Sequence, residues 1–244
     1  ITYNADADGS KYDIIREMFR PGHADYTYWT KYGIRDHRGG GRSSARETWG
    51  RVAAGAIARG ILKTAGIDVF AFTTQIGEIK SATFDRCAID QNLVRAADLE
   101  AAIEQIKEEK DSLGGVVEVH AEGVPPGLGE PTVDKLDALI GQAMLSIPAT
   151  KGVEIGHGFA AVSMRGSQHN DGFYIDETGR VRTRTNNAGG TLGGISSGEP
   201  IIARVAVKPT SSVSRDQETV DIHGNSRTIF VEDRHDPCVV PRAV

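Results

Sequence analysis

His23 follows a Pro21-Gly22 turn and opens onto ADYTYWTKYG, a run dense in aromatic rings. An imidazole there can stack on a ring or pass a proton near neutral pH, and it also reads as an ordinary loop histidine. Just downstream, Arg35, Asp36, His37 and Arg38 lead into Gly39-Gly40-Gly41, followed by Arg42-Ser43-Ser44, Arg46 and Arg51. From Arg16 to Arg51 there are eight Lys or Arg against four Asp or Glu, in a chain of net charge −5. Cations and hydroxyls on glycine-rich backbone at a helix start suit an anion. A well-capped helix with solvated arginines fits the same residues. Two later clusters have related chemistry. Lys208-Pro209-Thr210-Ser211-Ser212 joins one cation to three hydroxyls, and Arg234-His235-Asp236 joins a cation, an imidazole and a carboxylate. Either also reads as common loop composition.

Other chemistries lack support. There is no GxxxxGK[ST], and neither Gly39-Gly40-Gly41 nor the glycine-rich loop at 186–198 follows a strand as GxGxxG. His37, His120, His157, His169 and His223 have no ligand spacing, so no metal site is expected. Cys87 and Cys238 form no CxxC and read as ordinary reduced thiols.

These residues need elements to hold them. Ser44-Ala45-Arg46-Glu47 reads as a capping box, the hydroxyl and the carboxylate each meeting a first-turn N–H. Trp49, Val52, Ala53, Ala56, Ile57 and Ile61 then recur on one helical face, and Gly66 stops the helix. Small residues at 53–58 imply close packing against another element. A short helix is expected within 12–18, and a strand over 68–79. A helix over 99–110 is capped by Asp98 and turns Ile103 and Ile106 inward. A strand over 116–121 leads to a Pro/Gly-rich connection at 124–131. Asp134 opens a third helix, burying Leu136, Leu139, Ile140, Ala143, Met144 and Ile147. Residues 159–165 read as a strand, 173–184 as a hairpin around Gly179, 200–207 and 228–231 as strands. Helices alternating with strands point to α/β or α+β layers, and one domain is the simplest organisation.

Composition is that of a soluble globular protein: 244 residues, 39% hydrophobic, 25% charged. The acidic balance, 28 basic against 33 acidic residues, argues against a nucleic-acid surface. No apolar run approaches the ~20 residues of a membrane span. No signal peptide is visible, although a chain opening on Ile1 reads as lacking its natural start. Cytoplasm is the default location.

Seven segments occur in a telling order: RPGHADYTY, RGGGRSSARET, GVPPGLGEP, SIPATKGVEIG, NNAGGTLGGISSG, KPTSS and RHDPC. Together they resemble chorismate synthase, from about Phe19 to the C-terminus. The resemblance implies a β-α-β sandwich, a homotetramer, and a carbon–oxygen lyase acting on a phosphate. Its substrate would be 5-enolpyruvylshikimate 3-phosphate (EPSP), which loses phosphate and a ring hydrogen in a 1,4-anti elimination to give chorismate. It also implies reduced FMN (FMNH2) without net redox change. By position, the family pattern puts Arg42, Ser43, Ser44, Pro148, Ala149, Gly193, Lys208, Pro209, Thr210, Ser211, Ser212 and Arg234 on FMN. Ala45 and Arg46 match substrate positions. His23 matches a histidine that protonates the reduced flavin, and Asp236 an aspartate assisting proton transfer at its N5.

Two departures stand out. The family's opening GESHG motif and its EPSP-gripping arginine stretch are not in this sequence, and the family continues past Val244 into a helix. The chain therefore reads as a fragment truncated at both ends, and Pro148 stands where many relatives carry Asn. The insertions of self-reducing fungal relatives are not seen, so an external flavin reductant is expected. Whether NADP or another nicotinamide feeds it is open. Two other classes remain: a catalytically incomplete flavin- or anion-binding module, and a phosphoryl-transfer enzyme. The last is disfavoured because no Mg²⁺-binding carboxylate cluster accompanies the glycine loops.

Overall fold

The computed structural model describes residues 10–82, 86–91, 99–231 and 236–243. The strands, in chain order, are β1 (Asp68–Ile76), β2 (Ile79–Lys80), β3 (Gly115–Glu122) and β4 (Thr150–Ile155). Then come β5 (Phe173–Ile175), β6 (Val181–Thr183), β7 (Thr191–Leu192), β8 (Ile195–Ser196), β9 (Ile201–Val207), β10 (Gln217–Val220) and β11 (Ser226–Ile229). The helices are α1 (Asp25–Tyr32), α2 (Trp49–Thr64), α3 (Arg86–Gln91), α4 (Glu100–Glu108), α5 (Leu136–Leu145), α6 (Gly166–His169) and α7 (Val240–Ala243). A five-stranded antiparallel sheet, ordered β2-β1-β3-β9-β4, is the frame. The result is a mixed α and β fold, as expected, with its sheet antiparallel.

Strand alternation decides what each sheet face does. Val117, Val119 and Ala121 of β3 share a face with their register partners Val69 and Ala71 of β1 and Ile201, Ala203 and Val205 of β9. Leu62 of α2 and Leu136 and Ile140 of α5 cover one part of that face, and Met144 another. The opposite face is mixed. Phe70 and Phe72 flank the His120 ring at 5.2 and 5.4 Å, His120 pairs with Glu118, and Arg204 with Glu154.

Register also fixes which loops meet. Gly115 and Thr150 both pair with Val207, so β3 and β4 start where β9 ends. Arg51 Nη2 donates to the Ser146 carbonyl at 3.1 Å. This bond brings the start of α2 to the end of α5, so the two helices run antiparallel across the sheet.

Several sequence expectations are corrected. Residues 159–165 are not a strand but lie largely in a 3-10 turn, Gly158–Ser163; Glu154 accepts the Phe159 N–H at 3.0 Å and turns the chain there. The third helix starts at Leu136, with Lys135 rather than Asp134 at its cap, and leaves Leu139 exposed. β4 and β10 were not read from the sequence. The cap proposed at Asp98 lies outside the described residues. The largest correction concerns α2. Trp49, Val52, Ile57 and Ile61 are 64, 71, 70 and 65% exposed. The helix touches the core through Leu62 and is tethered at its start by a polar bond, so its apolar stripe faces away from the sheet.

Candidate active site

The turn that carries His23 is anchored from three sides. The β10–β11 hairpin holds the preceding segment: Phe19 N–H donates to the Val220 carbonyl at 3.1 Å, and Ile222 N–H to the Glu17 carbonyl at 2.8 Å. Ile15, Ile229 and Val231 pack together beneath it. Beside it lies a buried ionic cluster. Asp25, 1% exposed, accepts from Arg20 Nε at 2.8 Å, Arg20 Nη2 at 3.1 Å and the Arg20 N–H at 3.2 Å. His23 Nδ1 lies 2.9 Å from the same carboxylate and Arg35 Nη1 3.4 Å from it. Arg35 Nη2 donates to the carbonyls of Ile15, Arg16 and Met18. Burial alone would raise the Asp25 pKa. Hydrogen bonds from His23 and Arg20, with the Arg20 charge, outweigh it and hold the carboxyl well below the usual carboxylate range.

The other edge of the His23 ring faces the glycine run. Gly40 has φ +83°, and a Cβ there would lie 3.0 Å from Ser43 Oγ and 3.4–3.5 Å from His23 Cε1 and Nε2. Only glycine lets the backbone pass this close in that conformation. A Cβ on Gly39 would meet Arg46 Nη1 at 3.4 Å, so the Arg46 side chain lies over the same loop. Arg42 is exposed and 3.4 Å from Glu47, and Ser43 Oγ donates to the Gly40 carbonyl at 2.6 Å.

The capping box is only half realised. Ser44 Oγ accepts the Arg46 N–H at 3.3 Å, but the Glu47 carboxylate turns to Arg42. A 3-10 turn, Ala45–Thr48, therefore precedes α2, and Arg42, Ser43 and Ser44 lie upstream of the helix rather than in its first turn.

The second cluster docks onto the His23 turn. Lys208 Nζ donates to the Gly22 carbonyl at 3.0 Å, and a Cβ on Gly22 would touch Ser211. Lys208 N–H donates to the Ala149 carbonyl at 2.8 Å, so the Pro148-Ala149 bend joins the group. Ala149 adopts φ +69°, a left-handed conformation uncommon outside glycine. Thr210 Oγ1 donates to the Asp236 carbonyl at 2.6 Å, and Ser112 Oγ to the Thr210 carbonyl at 2.8 Å. Pro209 and Ser212 lie in the same loop. His23, Ser43, Arg46, Ala149, Lys208, Thr210, Ser211 and Asp236 thus meet at one end of the sheet. Gly193 does not join them. It sits in the β7–β8 turn, whose next residue, Gly194, accepts the Leu136 N–H at the start of α5. Arg234 lies outside the described residues.

A family model described as chorismate synthase matches residues 1–244. The chorismate synthase of Chloroflexus aggregans is 54% identical over 250 residues, covering 100% of this chain and 69% of that protein. The chain belongs to the chorismate synthase family. The Roseiflexus castenholzii chorismate synthase is 52% identical, covering 100% of this chain and 70% of that one. A solved structure titled "Crystal Structure of Chorismate Synthase" superposes with a TM-score of 0.71 at 38% identity, covering 77% of this chain and 63% of that one. The chain thus spans about two-thirds of the length of its chorismate synthase relatives.

Reduced FMN, the cofactor that the resemblance to chorismate synthases implies, needs cations and hydroxyls around a phosphate and backbone that a flat ring can approach. The residues present fit. Lys208 and Ser211 supply a cation and a hydroxyl on one side of His23, and Gly40, with Arg46 lying over the same loop, brings bare backbone beside the ring on the other. Among the described residues no group of three or more His, Cys, Asp or Glu is placed to hold a metal ion, and no helix is long and apolar enough to cross a membrane.

Sequence reasoning gave no role to Arg20, Asp25 or Arg35. Its available signal was one acid two residues after the candidate histidine, inside a stretch of excess positive charge.

Proposed function

We propose that the chain carries the chorismate synthase reaction, eliminating phosphate from EPSP to give chorismate with reduced FMN and no net redox change. The observation that carries this reading is His23 standing between the glycine loop at 39–41 and the Lys208–Ser212 loop, on a turn held by buried ion pairs. EPSP bears a phosphate and two carboxylates and FMN another phosphate, so a cationic, hydroxyl-rich pocket lowers the energy of bringing both together. Arg42, Ser43, Ser44, Pro148, Ala149, Arg234 and Lys208 through Ser212 are the proposed FMN contacts, with Ala45 and Arg46 on the substrate; Gly193, at the other end of the sheet, matches FMN by the family pattern alone. Bound reduced flavin would lend electron density while phosphate departs. His23 would hold and deliver a proton at its ring nitrogen, and Asp236 would assist proton movement as a carboxylate base. A cytoplasmic homotetramer supplied with reduced flavin by an external reductant completes the proposal.

Anaerobic incubation with EPSP and reduced FMN, following chorismate and phosphate together, tests it. His23→Ala and Asp236→Ala are expected to lower the rate on the order of 10²-fold with little loss of FMN affinity; unchanged turnover in either variant would remove that residue's role. The second reading is an FMN- or anion-binding module without turnover. Tight FMN binding with no chorismate would favour it.

A further inference from the structure

We propose that Asp25 is a positioning residue. It fixes His23 in the tautomer with hydrogen on Nδ1, so that Nε2 is the nitrogen that exchanges a proton in the site. The claim about exchange rests on the reading of His23 as proton donor; the claim about the tautomer does not.

The argument starts from one distance. His23 Nδ1 and Asp25 Oδ1 are 2.9 Å apart. An ionised carboxylate only accepts, and a bare imidazole nitrogen also only accepts, so this contact needs a hydrogen on Nδ1. The competing contact is Arg20 Nη2, 3.2 Å from the same Nδ1, which would instead donate to a bare nitrogen. Arg20 directs its fork at the carboxylate, through Nε to Oδ2 at 2.8 Å and one Nη2 hydrogen to Oδ1 at 3.1 Å. The second Nη2 hydrogen is left for Nδ1, but the Nδ1 contact with the charged oxygen is shorter, and a hydrogen bond to an ionised acceptor is stronger than one to a neutral nitrogen.

The carboxylate is itself immobile. Its side chain is 1% exposed, and Arg20 and Arg35 hold it from two directions. Two guanidinium charges against one carboxylate keep Asp25 ionised, so it orients the ring without taking the proton. What remains for chemistry is the opposite edge. Cε1 and Nε2 face Gly40, beside Ser43 Oγ. A histidine without such a partner prefers no single ring orientation, and catalytic imidazoles elsewhere rely on a carboxylate behind the second nitrogen for the same purpose.

The test uses the chain labelled with ¹⁵N-histidine, read by long-range ¹H–¹⁵N correlation in the neutral state of the ring. His23→Gln identifies the signal by its loss. Wild-type His23 is expected with Nδ1 protonated and Nε2 bare. In Asp25→Asn the proton moves predominantly to Nε2, and Asp25→Glu restores the wild-type pattern at least in part. Turnover of EPSP by Asp25→Asn should fall on the order of 10²-fold in kcat, with KM changed by less than about threefold. A wild-type Nε2–H tautomer, or an unchanged tautomer in folded Asp25→Asn, overturns the proposal. If Asp25→Asn does not fold, the wild-type spectrum alone decides. A wild-type Nδ1–H tautomer in a protein that never turns over EPSP upholds the positioning and sinks the functional reading.

Discussion

Burial, and then the charge of Lys151, weigh against the Lys208 ammonium and lower its pKa below the ordinary lysine value. An anion bound beside it favours the charged form and restores what burial removes, so ligand binding and protonation are linked. The sign follows directly. A depressed lysine pKa means that the binding-competent ammonium is lost at a lower pH than usual as pH rises. FMN affinity is therefore expected to fall on the alkaline side earlier in the wild type than in Lys208→Arg, whose guanidinium stays charged throughout. Dissociation constants for FMN measured against pH in both proteins check this. Parallel declines would remove Lys208 from the anion contacts. The buried cluster around Asp25 shows the same physics with a different outcome. There burial is outweighed by fixed donors, and a single carboxylate ties together Arg20, His23 and Arg35, residues spread over a short stretch of chain.

At the scale of elements, the β10–β11 hairpin is what keeps that stretch in register with the sheet. Asp221 closes its turn, accepting the N–H groups of Asn225 and His223 at 2.9 and 3.0 Å and Arg227 Nε at 2.9 Å. The Asn225 N–H is the main cause of its low pKa, with the Asn225 side chain, His223 and Arg227 adding against burial, and the carboxyl titrates at about 2. Asp221 contributes stability above the unfolded carboxylate value near 3.8, and that contribution is lost as pH falls toward about 2. Asp221→Ala is expected to speed amide exchange of β10 and β11 and of Phe19, whose N–H is bonded to Val220, while β3 and β9 stay protected. Uniform acceleration across the sheet would show that the hairpin is not a separate unit. This element also marks the limit of what the sequence reveals. β3 alternates apolar and polar residues clearly, β1 and β9 are runs rich in apolar and β-branched residues, and Gly179 announces the β5–β6 turn. β10 is Gln-Glu-Thr-Val, with no apolar period, and exists because β11 pairs with it. β4 carries Lys151, Gly152 and Glu154 and is a strand because β9 lies beside it. The Arg20–Asp25–Arg35 cluster was hidden for a similar reason, since contacts across a five-residue turn and from the first residue of α1 to a point beyond its end follow no period. In α2 the periodicity was legible but its environment was not. A stripe of apolar residues states that one face is alike, and says nothing of what covers it.

Across the whole molecule, the sheet separates two glycine-rich ends. At one, the starts of β3 and β4 and the end of β9 gather His23, Gly40, Ala149, Lys208, Ser211 and Asp236. At the other, the β7–β8 turn with Gly193 and Gly194 packs against Glu130, Lys135 and Leu136 at the start of α5. The seven residues of β9, Ile201–Val207, separate these ends by about 20 Å at the rise of an extended strand. Ten residues of α5 span about 15 Å between the same two regions. Within one chain, a ligand contacting Lys208 and Ser211 is not expected to depend on Gly193 to the same degree, although the family pattern assigns both to FMN. Lys208→Ala should weaken FMN binding by about tenfold or more, as loss of one charged hydrogen-bond partner does. Gly193 has φ +60° with open space where a Cβ would sit, so Gly193→Ala strains the backbone by about 1 kcal/mol without filling any cavity. Its FMN affinity should stay close to wild type even where its thermal midpoint drops. Parallel titrations of FMN into both variants, with melting curves on the same samples, separate the two effects. A loss in folded Gly193→Ala as large as that in Lys208→Ala would mean that the cofactor reaches both ends of the sheet, and that the single-ended pocket drawn around His23 is wrong.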